Sequence, residues 1–295
     1  MTLKIRKEEE GRSKPIFFGH LPDVALRRIF AELTIGEKLR TAPVSKAWNS
    51  YVTISLRSET ELSYRQLYSR AFQDHESRYT LYEGEIKKVV RRMCHPETGL
   101  TQLRTVDLKG IVFDSRSSCR EDVTFLTAVC PNLKQFYGEV SESKDLRLFA
   151  RDCPELTHYA CRPIGSPRGT LNYEDIGLLL LSKCSKMTHL DVCLWDWING
   201  FVFDQAKCSL QSLSFDMWAY TCGDLISIVH KFPDLKHLKY GGSLTWVDLL
   251  PLKDLPLEEL DLSDCPANPK GKAPLFLSGD EATKSPLASS LAIRC

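Results

Sequence analysis

Two hydrophobic rhythms divide the chain. In "LPDVALRRIFAEL", which begins at Leu21, the residues Leu26, Ile29, Phe30 and Leu33 fall at i, i+3, i+4 and i+7, the apolar stripe of an amphipathic helix. Pro22 suits the first helical position, where no N–H is needed, and Asp23 meets the positive helix end. Downstream, "TIGEKLRTAPVSKAWNSYV" predicts a second short helix carrying Leu39. A third would carry Val44, Ala47, Trp48 and Tyr51, with Pro43 as its first residue. Three short helices make a very small core, so the stripe calls for a partner.

After this module the rhythm changes to a recurring L-x-x-h-x-h, where h is apolar or nearly so. It reads "LRTVDL" at Leu103, "LKQFYG" at Leu133, "LTHYAC" at Leu156 and "MTHLDV" at Met187, then "LQSLSF" at Leu210, "LKHLKY" at Leu235 and "LEELDL" at Leu257. The seven copies are spaced 22 to 31 residues apart, and Gly138 is the weak point of the second. The intervals repeat as well. "EDVTFLTAVCP", "KDLRLFARDCP", "YEDIGLLLLSKCS" and "GDLISIVHKFP" each open with an acid and run one apolar helical face to a Cys or Phe. Pro131, Pro154 and Pro233 then stop the helix and favour an extended chain. A unit of helix, stop and short strand cannot bury its faces alone, so neighbours must stack. One interval departs from the pattern. "WDWINGFVFDQAK" has no acidic helix start and reads as a loop folded onto the stack, with Trp195 and Trp197 packed in it.

Composition narrows the function classes. Lys and Arg total 39 against 38 Asp and Glu, a balance that gives no general affinity for nucleic acid or anionic membrane. The longest apolar run, "IGLLLL", is too short to span a bilayer, and the N-terminus has no secretory core. Eleven cysteines in such a chain are expected as thiols in a reducing compartment, cytosol or nucleus. They show no metal-ligand spacing. Where Cys130, Cys153 and Cys184 end their helices, Phe232 ends another, so the slot is space-filling and no cofactor or metal is expected. The nucleotide, hydrolase and metalloprotease motifs are missing too, and the expectation is a non-catalytic protein. "KKVVRR" at Lys87 reads as the wet face of a helix starting near Glu85.

The residues L-P-x-x-x-L-x-x-I-F-x-x-L, followed by Leu39, Val44 and Trp48, resemble an F-box, and the repeats resemble the irregular, cysteine-containing leucine-rich repeat. Ala42-Pro43 and Ala47 depart from the F-box pattern. The resemblance implies an α/β chain with a three-helix F-box and a curved leucine-rich-repeat solenoid, parallel strands lining its concave face. Residues 1–14 would be a tail, 15–55 the F-box, 56–83 a helical linker and 84–266 the repeats, while 267–295 would be disordered or a partial cap. It implies the substrate-recognition subunit of a Skp–cullin–F-box ubiquitin ligase, bound to the Skp-family adaptor and through it to cullin and RING subunits. Leu21, Pro22, Leu26, Ile29, Phe30, Leu33, Leu39, Val44 and Trp48 would be the adaptor contacts. The alternative is a scaffold that binds through its repeats without directing ubiquitin transfer.

In a strand that alternates faces, the residues between the apolar positions point away from the core. Substrate protein is therefore expected across the concave face, with Tyr137, His158, Arg162, His189 and Asp191 nearest its centre. The competing location is the inter-repeat loops, above all the Trp195–Trp197 segment. His158, His189 and His237 occupy one slot of three copies and are expected as solvated surface residues.

Overall fold

The computed structural model describes residues 21–63, 100–108, 126–128, 130–139, 143–162, 180–194, 201–217, 228, 230–241, 250–262 and 292–294. Among these residues the first elements are three helices, α1 (Asp23–Glu32), α2 (Ile35–Thr41) and α3 (Lys46–Arg57). Nine strands follow: β1 (Glu61–Ser63), β2 (Thr105–Asp107), β3 (Gln135–Glu139), β4 (His158–Arg162), β5 (His189–Leu194), β6 (Ser212–Met217), β7 (His237–Gly241), β8 (Glu259–Asp261) and β9 (Ala292–Arg294). They form one sheet in sequential order, and every neighbouring pair is parallel. A parallel neighbour can be reached only by crossing back over the sheet, and among the described residues helical segments lie in several of those crossovers. The clearest is α4 (Ser143–Asp152), between β3 and β4. The fold is α/β, a helical N-terminal region followed by a parallel sheet.

The L-x-x-h-x-h pattern maps onto the sheet copy by copy. The leading residues Leu103, Leu133, Leu156, Met187, Leu210 and Leu235 are fully buried. The central residues Val106, Phe136, Tyr159, Leu190, Leu213, Leu238 and Leu260 sit in one register across β2 to β8, also buried. The residue before each strand links copies. The carbonyls of Thr60, Arg104, Lys134, Thr157, Thr188, Gln211 and Lys236 each accept two consecutive N–H groups from the next copy. Cys130, Cys153 and Cys184 are fully buried, with Phe232 equivalent to them, as the space-filling reading requires. The thiols also form a weak ladder: Cys153 donates to the Cys130 carbonyl and Cys184 to that of Cys153. Burial pushes both thiols up to about 12, so they are inert.

Gly138 is explained by its neighbour. A Cβ there would stand 2.9 Å from the ring tip of Phe136, which is packed against Phe149 at 4.4 Å and Tyr159 at 5.7 Å. The large ring at one position of the copy takes the space of the next.

Several expectations are corrected. Residues 56–83 do not form a helical linker throughout, because α3 ends at Arg57 and β1 pairs with β2. A lone Leu62 carries β1, with no leading leucine to announce it. At the other end β9 pairs with β8 as an edge strand, which does not contradict the partial cap expected of residues 267–295. The interval before β6 contains a short helix, α5 (Phe201–Asp204), whose Phe203 is buried; Trp195 and Trp197 lie outside the described residues. "KKVVRR" and the 1–14 tail lie outside them as well.

Candidate functional site

Two surfaces follow from this fold, one on the helices and one on the strands. On the helices, local signals fix each start. Pro22 takes the N-cap position rather than the first helical turn, leaving Asp23 to open α1. Its carboxylate accepts from Arg27 Nε at 2.6 Å and from the Tyr51 hydroxyl at 2.8 Å, which fastens α3 to the start of α1 and holds the Asp23 carboxyl below its ordinary range. A capping box starts α2: Glu37 N–H donates to Thr34 Oγ1 and Thr34 N–H donates to Glu37 Oε2. Pro43 lies in a 3-10 turn (Ala42–Val44), not at the start of the third helix, which Ser45 caps by accepting the Trp48 N–H.

Phe30 organises the interior. It is 2% exposed and meets Trp48 edge-on at 5.3 Å and Tyr51 in a stack at 5.6 Å. The buried Ser55 hydroxyl donates to the Phe30 carbonyl. Lys38 is buried as well, and its ammonium donates to the Ala31 carbonyl and to the Glu59 carboxylate. Glu59 stands between α3 and β1, so this ion pair ties α2 to the junction with the sheet. Phe30, Ile35, Leu39, Val52, Leu56 and Leu62 belong to the same core cluster as the strand residues. The partner of the opening stripe is therefore first the chain itself.

The nine expected adaptor contacts divide accordingly. Leu26, Phe30 and Leu39 are buried and cannot offer free surface. Leu33 and Trp48 are half-buried against the core, and Leu21 is half-buried. Pro22 is exposed, as are Ile29 at 39% and Val44 at 64%. Sequence reasoning missed Val24, 76% exposed in the first turn of α1, and Ile54, 40% exposed on α3. Both lie off the apolar stripes, and an apolar residue off the stripe was the available signal.

On the strands, the residues between the buried positions form two parallel rows. One runs Thr105, Gln135, His158, His189, Ser212, His237 and Glu259; the other runs Asp107, Tyr137, Ala160, Asp191, Ser214, Lys239 and Asp261. Tyr137, His158, His189 and Asp191 are brought together here, all half-buried. Arg162 pairs with Glu139 through the backbone, and its side chain lies outside the described residues. Ala160 is buried and stands in register between Tyr137 and Asp191, a methyl between two longer side chains. The histidines are not simply solvated. His158 and His189 stack ring on ring, 3.9 Å between centroids and 11° from parallel. Burial lowers both below the ordinary range, followed by the charge of His189 at His158 and that of His237 at His189. His237, two strands further on, faces Glu259 at 3.6 Å.

Among the described residues no three His, Cys, Asp or Glu side chains are grouped to hold a metal ion, and no helix is long and apolar enough to cross a membrane. No curated protein matches the chain. The segment that does match a known family is the helical module: residues 18–57, which contain α1 to α3 in full, match the family model of the F-box domain.

Proposed function

We propose that this chain is the substrate-recognition subunit of a Skp–cullin–F-box ubiquitin ligase, acting in the cytoplasm or nucleus. The observation that carries the proposal is the F-box match over 18–57 on a module that closes its own core yet leaves Val24, Ile29 and Val44 in the open. Exposed apolar side chains on so small a module suit a protein partner. The Skp-family adaptor would cover Pro22, Ile29 and Val44, together with the accessible parts of Leu21, Leu33 and Trp48. Leu26, Phe30 and Leu39 would hold that surface in shape from beneath.

The sheet supports the second half of the reading. Sequential parallel strands, buried leading leucines and a carbonyl ladder from copy to copy are what stacked leucine-rich repeats would produce. The strand face would take the substrate protein around Tyr137, His158, Arg162, His189 and Asp191. F-boxes are docking modules, and the chain would perform no chemistry itself. It would hold a substrate near the ubiquitin delivered through cullin and RING subunits, raising its effective concentration. The shared core and the Lys38–Glu59 pair suit that task, because they fix one docking surface relative to the other.

The test is an adaptor pull-down with Ile29→Ser combined with Val44→Ser. Truncating interface anchors commonly costs about 2 kcal/mol or more, roughly thirtyfold in affinity. Binding should drop at least that far while the melting curve stays in place. Undiminished pull-down would overturn the adaptor assignment.

A further inference from the structure

The histidine pair carries a chemical assignment that the fold alone does not. A threonine hydroxyl has one hydrogen to give. Thr157 donates its hydrogen to the Lys134 carbonyl at 3.0 Å, and Thr188 donates to the Thr157 carbonyl at 3.2 Å. Each hydroxyl oxygen also lies against the ring that follows it, 2.8 Å from His158 Nδ1 and 2.9 Å from His189 Nδ1. With its hydrogen given to that carbonyl, which also takes two backbone N–H groups, each hydroxyl accepts from the ring, and this arrangement selects the tautomer with its proton on Nδ1. A neutral imidazole carries one N–H. Both Nε2 atoms are therefore bare lone pairs, and no hydrogen bond engages either among the described residues.

The lone pairs do not stand alone. Asp191 follows His189 by two residues and points to the same face, with Ala160 and Ser214 as its lateral neighbours in register. Neither neighbour is basic, and no ion pair engages Asp191 among the described residues. The Lys239 ammonium lies two strands away from Asp191, with Asp261 at 4.0 Å. Tyr137 is the residue in register on the other side of Ala160. The rim thus offers two acceptor nitrogens, one carboxylate and one aromatic ring, while the basic residues of the same face, Arg162 and Lys239, have Glu139 and Asp261 beside them in register.

We propose that the face over Ala160 binds a cationic side chain of the substrate, an arginine or lysine, with the Asp191 carboxylate and the two Nε2 atoms accepting its hydrogens and Tyr137 lying along its stem. This rests on the reading that substrate docks on the strand face. Guanidinium and ammonium groups only donate, which matches the carboxylate and the two ring nitrogens as acceptors, and both are attracted to an aromatic face. A metal ion is the other group that seeks bare imidazole nitrogens. The spacing disfavours it, since His158, His189 and Asp191 are not close enough together to hold one ion. The lowered histidines favour the neutral, accepting form at neutral pH.

The experiment uses the full chain and two fluorescent nonapeptides of alternating alanine with either arginine or its neutral isostere citrulline, read by anisotropy. The arginine peptide should bind at least tenfold more tightly than the citrulline peptide. That preference should disappear in Asp191→Asn and shrink at least threefold in His158→Phe with His189→Phe, which keeps the stacked rings and removes the acceptors. Equal binding of the two peptides, or a preference that survives both variants, would overturn the proposal. So would stoichiometric zinc binding to the peptide-free chain that the double phenylalanine variant abolishes, because the rim would then be an ion site. Ser214→Trp separates the two levels of the argument. Cellular partners lost with Ser214→Trp but kept with Asp191→Asn leave the strand-face reading standing and overturn the cationic one. Partners kept in both variants overturn the strand-face reading itself.

Discussion

The helical module and the strand face present opposite kinds of surface, and the difference comes from how each buries its backbone. Helices satisfy their own hydrogen bonds, so the module can leave Val24 and Val44 standing in solvent while Phe30 holds the interior. The strands satisfy theirs with one another, and their outward residues are locked side by side in register. The module's surface is apolar and non-directional, suited to one constant partner. The strand face is polar and ordered residue by residue, so single substitutions can change what it recognises.

The largest test of this contrast is Phe30→Ala. Removing a buried phenylalanine costs about 3–5 kcal/mol. Here it also strips the rings of Trp48 and Tyr51 of their common neighbour. Chemical denaturation should show that loss, with the helical signal falling first. A loss below about 1 kcal/mol would mean that the module is not organised around Phe30.

Next comes Lys38→Met, which tests whether module and sheet are one body. Breaking a buried ion pair from one side costs about 3–5 kcal/mol when the remaining charge stays dry. The side chain of Glu59 is 21% exposed and can reach water, so a smaller loss of about 2 kcal/mol is expected. The informative result is the shape of the unfolding curve. A single transition in the wild type should split in the variant, as α2 loses its tie to the α3–β1 junction. A curve that stays single and merely shifts would place the coupling in the apolar core around Leu62.

Gly138→Ala should cost about 1–3 kcal/mol by overpacking, since Phe136 is held by Phe149 and Tyr159 and cannot easily give way. That residue also shows what was legible in the sequence. Gly138 broke the repeat, and only the neighbouring ring explains the break. The seven copies were readable because each combines a leading leucine, or in one case Met187, with an alternating strand. Strands β1 and β9 were not, because edge strands are specified by the neighbour they pair with and carry too few apolar residues to announce themselves. In the module, periodicity found the stripe but could not apportion it between the chain's own core and a partner. Leu26 and Phe30 fell to the core and Ile29 was left open. The histidine slot was legible as a recurrence; the stacking needed the register of β4 against β5.

The smallest expected effect lies on the strand face and depends on pH. His158 and His189 are lowered from an ordinary value of 6.5 by burial first, then by His189 at His158 and by His237 at His189. Because the folded values lie below the unfolded one, the unfolded chain binds protons first as pH falls. The stabilising contribution is therefore complete above the unfolded value near 6.5 and is lost as pH drops through it toward the folded values. Asp23, Glu37, Asp152 and Glu258 are lowered carboxylates, and their contributions fade only in the more acidic range below their ordinary values of 3.8 to 4.5. The two windows can thus be separated. Tyr137, Asp191, Lys239 and the His237–Glu259 pair share the face, and substituting the two stacked rings leaves all of them in place. Denaturation midpoints measured from pH 7.5 to 5 should decline in the wild type and decline less in His158→Phe with His189→Phe. Equal slopes in the two proteins would show that the stack carries no burial penalty, and the strand face would then be as freely hydrated as the exposed apolar residues of the module.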